Sequence, residues 1–437
     1  MANSLRAYQK LLPLIIIMIT NVLSYGRENR QNIKIYNTLI ENCIICHQNK
    51  GNAPFSLEKT KDITSRAETM LKVIKNNSMP PWYADTTYTR YKNEHILNAS
   101  DKKLLIEWLS SDNIKMPKNK IATNKGVRLK TTGIKNKIEL SVTPDVNISN
   151  DQTDRYTYYI NNDKFLPANT IIIGYEYTNI SPYTHHLETL FFNNNSSETN
   201  TQYTNTSEYF SNNLFSELNL QYLSGWLPGN SREYFPKKTF YKIPHDASIL
   251  HVTHYGRKFK NFKDKTNLML YTIPEIDSTY REINEFAIHG TAKYIIENRQ
   301  KVFIPANTTK TFHYTDTTLK DMSVFEAYFH AHHLCTSMIA FAVTPHSDTI
   351  PILRINNWNF NWQMRYKFKK YLKIPENSII HFIATYDNTL NNKQNTQIPP
   401  KDVMASFNAD DEMMELFLLY LDYNPNDENI LIREYNE

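Results

Sequence analysis

The chain has 437 residues, of which 41% are hydrophobic, 21% charged and 13% aromatic, with a formal net charge of +5. At roughly 100 to 200 residues per domain that length suits several domains with real cores, and the composition excludes a disordered polymer or a many-span membrane protein. Only 9 glycines and no Gly-rich phosphate cradle leave nucleotide folds without support, and a charge spread without a basic block gives no reason to expect a nucleic-acid partner.

Arg6 and Lys10 precede the apolar run Leu11 to Thr20, and Ser24 and Gly26 suit a cleavage site, so residues 1–26 are expected to be a signal peptide. The run is shorter than the roughly 20 residues that cross a bilayer. A retained anchor is the alternative; no stable transmembrane span is expected in the mature form, which is placed in the periplasm, secreted or at the cell surface. Residues 33–115 read as helical. Ile35, Tyr36, Leu39, Ile40 and Cys43 share one helical face, Met70, Leu71, Val73 and Ile74 form a second stripe, and Leu104, Leu105, Trp108 and Leu109 a third behind Ser100 as N-cap. Residues 116–136, rich in Lys, Asn, Thr and Gly, read as a linker. Beyond 137 the pattern changes to short strands parted by Asn, Asp, Pro and Ser clusters, starting near Ile171, Ile249, Ile379 and Leu416. Roughly 300 residues of this exceed one sandwich, so two are expected, at 137–278 and 279–430.

Within the helical part, Cys43-Ile44-Ile45-Cys46-His47 has the CxxCH spacing of covalent haem attachment. Two thiols one helical turn apart can bond the two vinyl-derived arms of a porphyrin, and the adjacent imidazole falls over the iron. A zinc or thioredoxin reading of CxxC leaves His47 unexplained. Met79, ahead of Pro80 and Pro81, which hold an extended loop, is the expected sixth ligand; Met70 competes but sits in an amphipathic stripe. The segment resembles small cytochrome c domains. Cys335 is then left alone, with no disulfide framework.

Histidines cluster three times in the strand region: His185-His186, His251 with His254, and His330-Ala331-His332-His333. Adjacent histidines face opposite sides of a strand unless a bulge redirects one, whereas His330 and His332, two apart, share a face and can hold one metal. In this order, and with Asp411-Glu412-Met413 before a Leu/Tyr-rich strand, the region from about 137 to 425 resembles the copper type II, ascorbate-dependent monooxygenases, the family of peptidylglycine alpha-hydroxylating and dopamine beta-monooxygenase. Bacterial members that join a CxxCH domain to this module are similar also through Ala53 to Leu57, Met79 to Trp82 and Trp358 to Gln363.

The resemblance implies a multidomain fold: a small all-α cytochrome c-like domain followed by two all-β jelly-roll sandwich domains. It implies two copper ions besides covalently attached haem c. His185, His186 and His254 would form the electron-storing site; His330, His332 and Met413 would form the catalytic, oxygen-activating one, where the thioether favours Cu(I). Met414 is the rival to Met413. His251 and His333 are read as supporting or structural, and Trp358, Phe360 and Trp362, alternating, as sandwich core. Dioxygen and an external reductant or redox protein would be partners, the fused haem supplying electrons. Where the peptide-amidating branch carries Arg, Asn and Tyr, this chain has Tyr328, Glu415 and Phe417, which argues against a glycine-extended peptide and leaves the substrate unnamed. A noncatalytic redox or copper-binding protein of the same fold is the alternative, and a structural β-protein the third.

Overall fold

The computed structural model describes residues 30–48, 53, 55–112, 114–115, 136–142, 146–148, 155–161, 170–181, 183–193, 201–203, 221–227, 232–243, 247–255, 261–289, 302–405 and 411–435. The expected signal at 1–26, and all of the expected linker but residue 136, lie outside them. Contacts divide the chain into two compact units, residues 1–82 with 95–128, and 83–94 with 129–437. Among the described residues no helix is long and apolar enough to cross a membrane.

In the first unit a helix over 30–39 passes into a π-helical turn, Ile40–Ile44, and helices follow at Thr60–Thr64, Ala67–Lys75 and Ala99–Leu109. The helical period puts Ile35 and Leu39, Met70 and Ile74, and Leu105 and Leu109 on inward faces, and these close one core with Leu57 and Ile63. The last helix is capped by Asn98, whose side chain accepts the Asp101 N–H at 2.9 Å. Ser100 lies in the first turn instead of at the expected N-cap, because the amide oxygen two residues earlier already satisfies the orphan donor.

The second unit is built of sheets that are antiparallel except where Arg281–Glu282 pairs in parallel with Thr239–Ile243. In the first sandwich, Asn136–Ser141, Asn267–Ile273, Thr170–Thr178 and Thr239–Ile243 form one sheet with the short strands Arg232–Tyr234 and Arg281–Glu282. The other runs Thr201–Tyr203, Arg155–Asn161, Ala247–Tyr255, Thr184–Asn193, Gln221–Trp226. The Tyr177 hydroxyl crosses between them to Thr189 and Ser224 at 2.7 and 2.8 Å. In the second sandwich Asn284–His289, Glu415–Asp422, Met322–His330 and Arg365–Ile374 face Thr309–Thr317, Ile379–Asp387, Cys335–Val343 and Thr349–Ile355, with Phe329 stacked on Phe382 at 5.1 Å.

Every residue of Met322–His330 is buried. One face lines the core through Phe329, and the other meets the first sandwich, where Tyr328 and Tyr222 lie 5.5 Å apart. The neighbouring strand Arg365–Ile374 ties the sandwiches together. Arg365, 6% exposed, is paired with the buried Glu326 and donates to the hydroxyls of Tyr175 and Tyr222 at 3.0 and 2.8 Å. Lys367 reaches Glu233 of the first sandwich and, at 3.0 Å, Glu434. Gly225 permits this arrangement, since a Cβ there would collide with the Tyr222 hydroxyl.

Residues 83–94, expected within the helical stretch, pack with the strands instead. Ala84 and Tyr91 form bridges with Ile355 and Phe368. Tyr91, 1% exposed, donates to the Ile352 carbonyl at 2.7 Å, and Asp85 pairs with Arg354 at 2.8 Å. The preceding Pro80-Pro81 pair disfavours helix at its own positions and just before them, which leaves this segment free to pair as strand.

Candidate metal centres

His186 lies opposite His254 in the pairing of Thr184–Asn193 with Ala247–Tyr255, but the next partner of Tyr255 is Thr184, so His185 is the extra residue of a β-bulge. The bulge turns His185 out of strict alternation and onto the side of its neighbour. The Nδ1 atoms of His185 and His254 lie 3.3 and 3.4 Å from Nδ1 of His186, and the ligand atoms of all three lie within 4.8 Å of one another. Metal–nitrogen bonds of about 2.0 Å at tetrahedral angles set nitrogens about 3.3 Å apart, so the set fits one ion. Burial, with the neighbouring imidazoles adding to it, holds His186 well below the usual histidine range, which leaves its lone pair available. His251 is outside the set: it is buried, meets the Thr189 hydroxyl at 2.9 Å and is pushed down to about 3 by burial.

In the second sandwich, Nε2 of His330 is 3.2 Å from the Met413 sulfur. The ring of His332 stands 5.3 Å from that of His330, at 89°. The strand ends at His330, so simple alternation does not place His332 as expected. A buried carboxylate does. Glu412 accepts the backbone N–H groups of His332 at 2.9 Å, Leu334 at 2.6 Å and Met413 at 3.2 Å, tying both ligand-bearing loops to one side chain. Burial pushes this carboxyl up to about 8 against those donors. The Asp411 carbonyl takes Nδ1 of His332 at 2.9 Å. Met414 is wholly buried and packs into the sandwich, while Met413 turns to His330. His333 lies against Phe360, ring centroids 4.0 Å apart.

The two sets adjoin, the rings of His186 and His330 being 5.9 Å apart. Both line a cavity of about 30 Å³ with Glu188, Tyr222, Tyr328 and Arg365, room for a water or two. Tyr328 stacks on Phe417 at 4.6 Å, and Glu415 is bound to His289 at 2.6 Å. Arg365 is committed to Glu326, so neither partner offers a cation to a carboxylate, and burial raises Glu188 above its usual range.

Trp358, Phe360 and Trp362, expected to alternate on a strand, sit in a loop. Trp358 and Phe360 are buried, but the Phe360 ring packs against metal-set histidines, 5.0 Å from His185 and 5.8 Å from His332. Asn361 Oδ1 meets His185 Nε2 at 3.1 Å and Gln363 Oε1 meets His330 Nδ1 at 2.5 Å. The sequence reading quoted Asn361, Gln363 and Glu412 as parts of the resemblance but gave them no role. Their one visible signal is polar amides interleaved with the aromatics of this run.

In the helical unit, Cys43, His47, Met70 and Met79 line an apolar cavity of about 270 Å³ with Phe55 and Leu57. Burial and the neighbouring Cys46 push the Cys43 thiol up to about 12. His47 Nδ1 lies 3.1 Å from the Phe55 carbonyl, which leaves Nε2 for a ligand. One thiol, one imidazole and two thioethers thus meet in one apolar cavity, Met70 beside Met79, while Cys46 is not among its lining residues.

Residues 282–431 match the family model described as copper type II ascorbate-dependent monooxygenase, C-terminal domain. No curated protein matches the chain. Among solved structures, particles derived from infectious bursal virus align at 12% identity over 68% of this chain and 81% of that chain, with a TM-score of 0.16. A structure described as the STIV MCP aligns at 8% identity over 65% and 91%, with a TM-score of 0.22.

Proposed function

We propose that this chain, whose residues 282–431 belong to the copper type II ascorbate-dependent monooxygenase family, is an exported monooxygenase that hydroxylates a substrate C–H bond with dioxygen. The observation that carries this reading is the juxtaposition of two unlike donor sets, three imidazole Nδ1 atoms beside an imidazole Nε2 and a thioether sulfur. Copper held there would supply one-electron storage at the all-nitrogen set and dioxygen activation at the set containing Met413. The protein's part is to hold those donors aimed, and to keep bulk water from a cavity only about 30 Å³ in size. Tyr328, Glu415 and Phe417 stand where the peptide-amidating branch carries Arg, Asn and Tyr, with Tyr328 stacked on Phe417 and Glu415 taken up by His289, which supports a substrate other than a glycine-extended peptide. Cys43, Cys46, His47 and Met79 are the residues that would hold a covalent haem, which would supply a one-electron carrier.

The small size of the cavity favours a second reading, a noncatalytic copper protein of the same fold. Copper counting with oxygen-uptake screening separates the two. Two coppers per chain and substrate-dependent uptake support the enzyme; two coppers without uptake by any C–H substrate support the carrier; no copper in folded protein overturns both.

A further inference from the structure

We propose that the loop 358–363 sets the ring tautomers of both donor sets, holding the His185 proton on Nε2 and the His330 proton on Nδ1. This rests on the reading of the two sets as metal sites, and it concerns how one segment of the second sandwich aims a ligand in each. The amide orientations fix the direction. Asn361 turns its Nδ2 toward the Asn359 side-chain oxygen at 3.3 Å, and its backbone N–H donates to the same oxygen at 3.0 Å. Its Oδ1 therefore faces His185 Nε2 at 3.1 Å. Gln363 donates its Nε2 to the Phe360 carbonyl at 3.1 Å, which turns its Oε1 to His330 Nδ1 at 2.5 Å. An amide oxygen only accepts, so each facing ring nitrogen must donate, and its opposite nitrogen keeps the lone pair.

The consequence differs at the two rings. His185 presents Nδ1, the atom 3.3 Å from His186 Nδ1, and His330 presents Nε2, the atom 3.2 Å from the Met413 sulfur. Phe360 stacks on His185 at 5.0 Å and 21° and lies tilted against His254 at 5.6 Å, so at the three-histidine set the loop holds ring planes as well as a proton. Asn361 and Gln363 are positioning residues, acting through the histidines. Outer partners of this kind govern metal affinity by about 10- to 100-fold.

The test uses the full chain, freed of metal with a chelator and labelled with 15N-histidine. Long-range proton–nitrogen spectra should show His185 protonated on Nε2 and His330 on Nδ1. Asn361→Ala should release the His185 tautomer alone and weaken Cu(II) binding at the three-histidine set about 10- to 100-fold. Gln363→Ala should do the same at the His330 set alone, and Asn361→Asp and Gln363→Glu, which keep an acceptor oxygen, should restore the wild-type tautomers. A wild-type His185 protonated on Nδ1, or tautomers unmoved by both alanine variants, would overturn the proposal. Correct tautomers in a wild-type chain that binds no copper would support the loop's action on the rings while removing the monooxygenase reading.

Discussion

Removing one member of the Arg365–Glu326 pair should cost far more than removing both. Arg365 is 6% exposed and Glu326 4%, so Glu326→Leu leaves a buried cation whose remaining hydrogen-bond partners are the hydroxyls of Tyr175 and Tyr222. Stranding a buried charge in this way costs about 3 to 5 kcal/mol. Arg365→Met strands the carboxylate by a similar amount and takes a donor from two buried phenols, each worth about 1 kcal/mol or more. The double variant removes both charges and keeps only the phenol penalty, so it should be more stable than either single variant, with a coupling energy of several kcal/mol. Urea unfolding of all four proteins, stripped of metal and followed by near-UV circular dichroism, closes the cycle. If each single variant loses less than about 1 kcal/mol, or the two losses add, the charges are not desolvated as the structure places them.

Glu412→Ala orphans the buried N–H groups of His332, Leu334 and Met413; it should cost about 3 kcal/mol or more in urea unfolding and weaken copper binding at the His330 set about 10- to 100-fold by titration. Glu285 has one buried carboxylate oxygen without a hydrogen-bond partner, and burial raises its carboxyl to about 7. A raised folded pKa gives stability that is full below the ordinary value near 4.5 and lost as pH rises through 7, so Glu285→Gln should gain thermal stability over wild type between those limits and hold the gain above; melting curves at pH 4, 6 and 8 read it. Met413→Ala should cost one copper equivalent per chain while sparing the three-histidine set, whereas Met414→Ala should cost about 2 to 5 kcal/mol of stability and keep both coppers; the reverse pattern in metal analysis would move the ligand to Met414. In cells with c-type haem maturation, Cys43→Ala with Cys46→Ala should abolish haem that survives denaturation, and Met79→Ala should keep it with an altered spectrum and a lower potential by redox titration.

The strand region and the cast of donors were legible in the sequence because their signals are local. Alternation marks Ile379–Asp387, where Ile380, Phe382, Ala384 and Tyr386 face inward, and histidines beside a late methionine are too uncommon a pattern to miss. What was hidden depends on partners distant in the chain. The bulge at His185 follows from register against Ala247–Tyr255, which no single strand encodes. Glu412 acts on His332, 80 positions away, and Asn361 on His185, 176 away; a polar residue in a loop gives no hint of such a target. Alternation even misled at Trp358 to Trp362, where spacing suggested a strand face and the backbone makes a loop. Periodicity likewise says nothing of residues 83–94, whose pairing is decided by Ile355 and Phe368.

That last segment bears on how the chain can be cut. A boundary drawn at 116–136 looks natural, yet a fragment starting there lacks the residues that cover Ile352, Ile355 and Phe368, and it uncovers the partners of Tyr91. Such a fragment is a split protein missing its complement. A synthetic peptide of residues 83–94 should therefore bind it in trans and raise its melting temperature, by the linkage between ligand binding and folding. Replacing Tyr91 in that peptide by alanine should abolish the rescue.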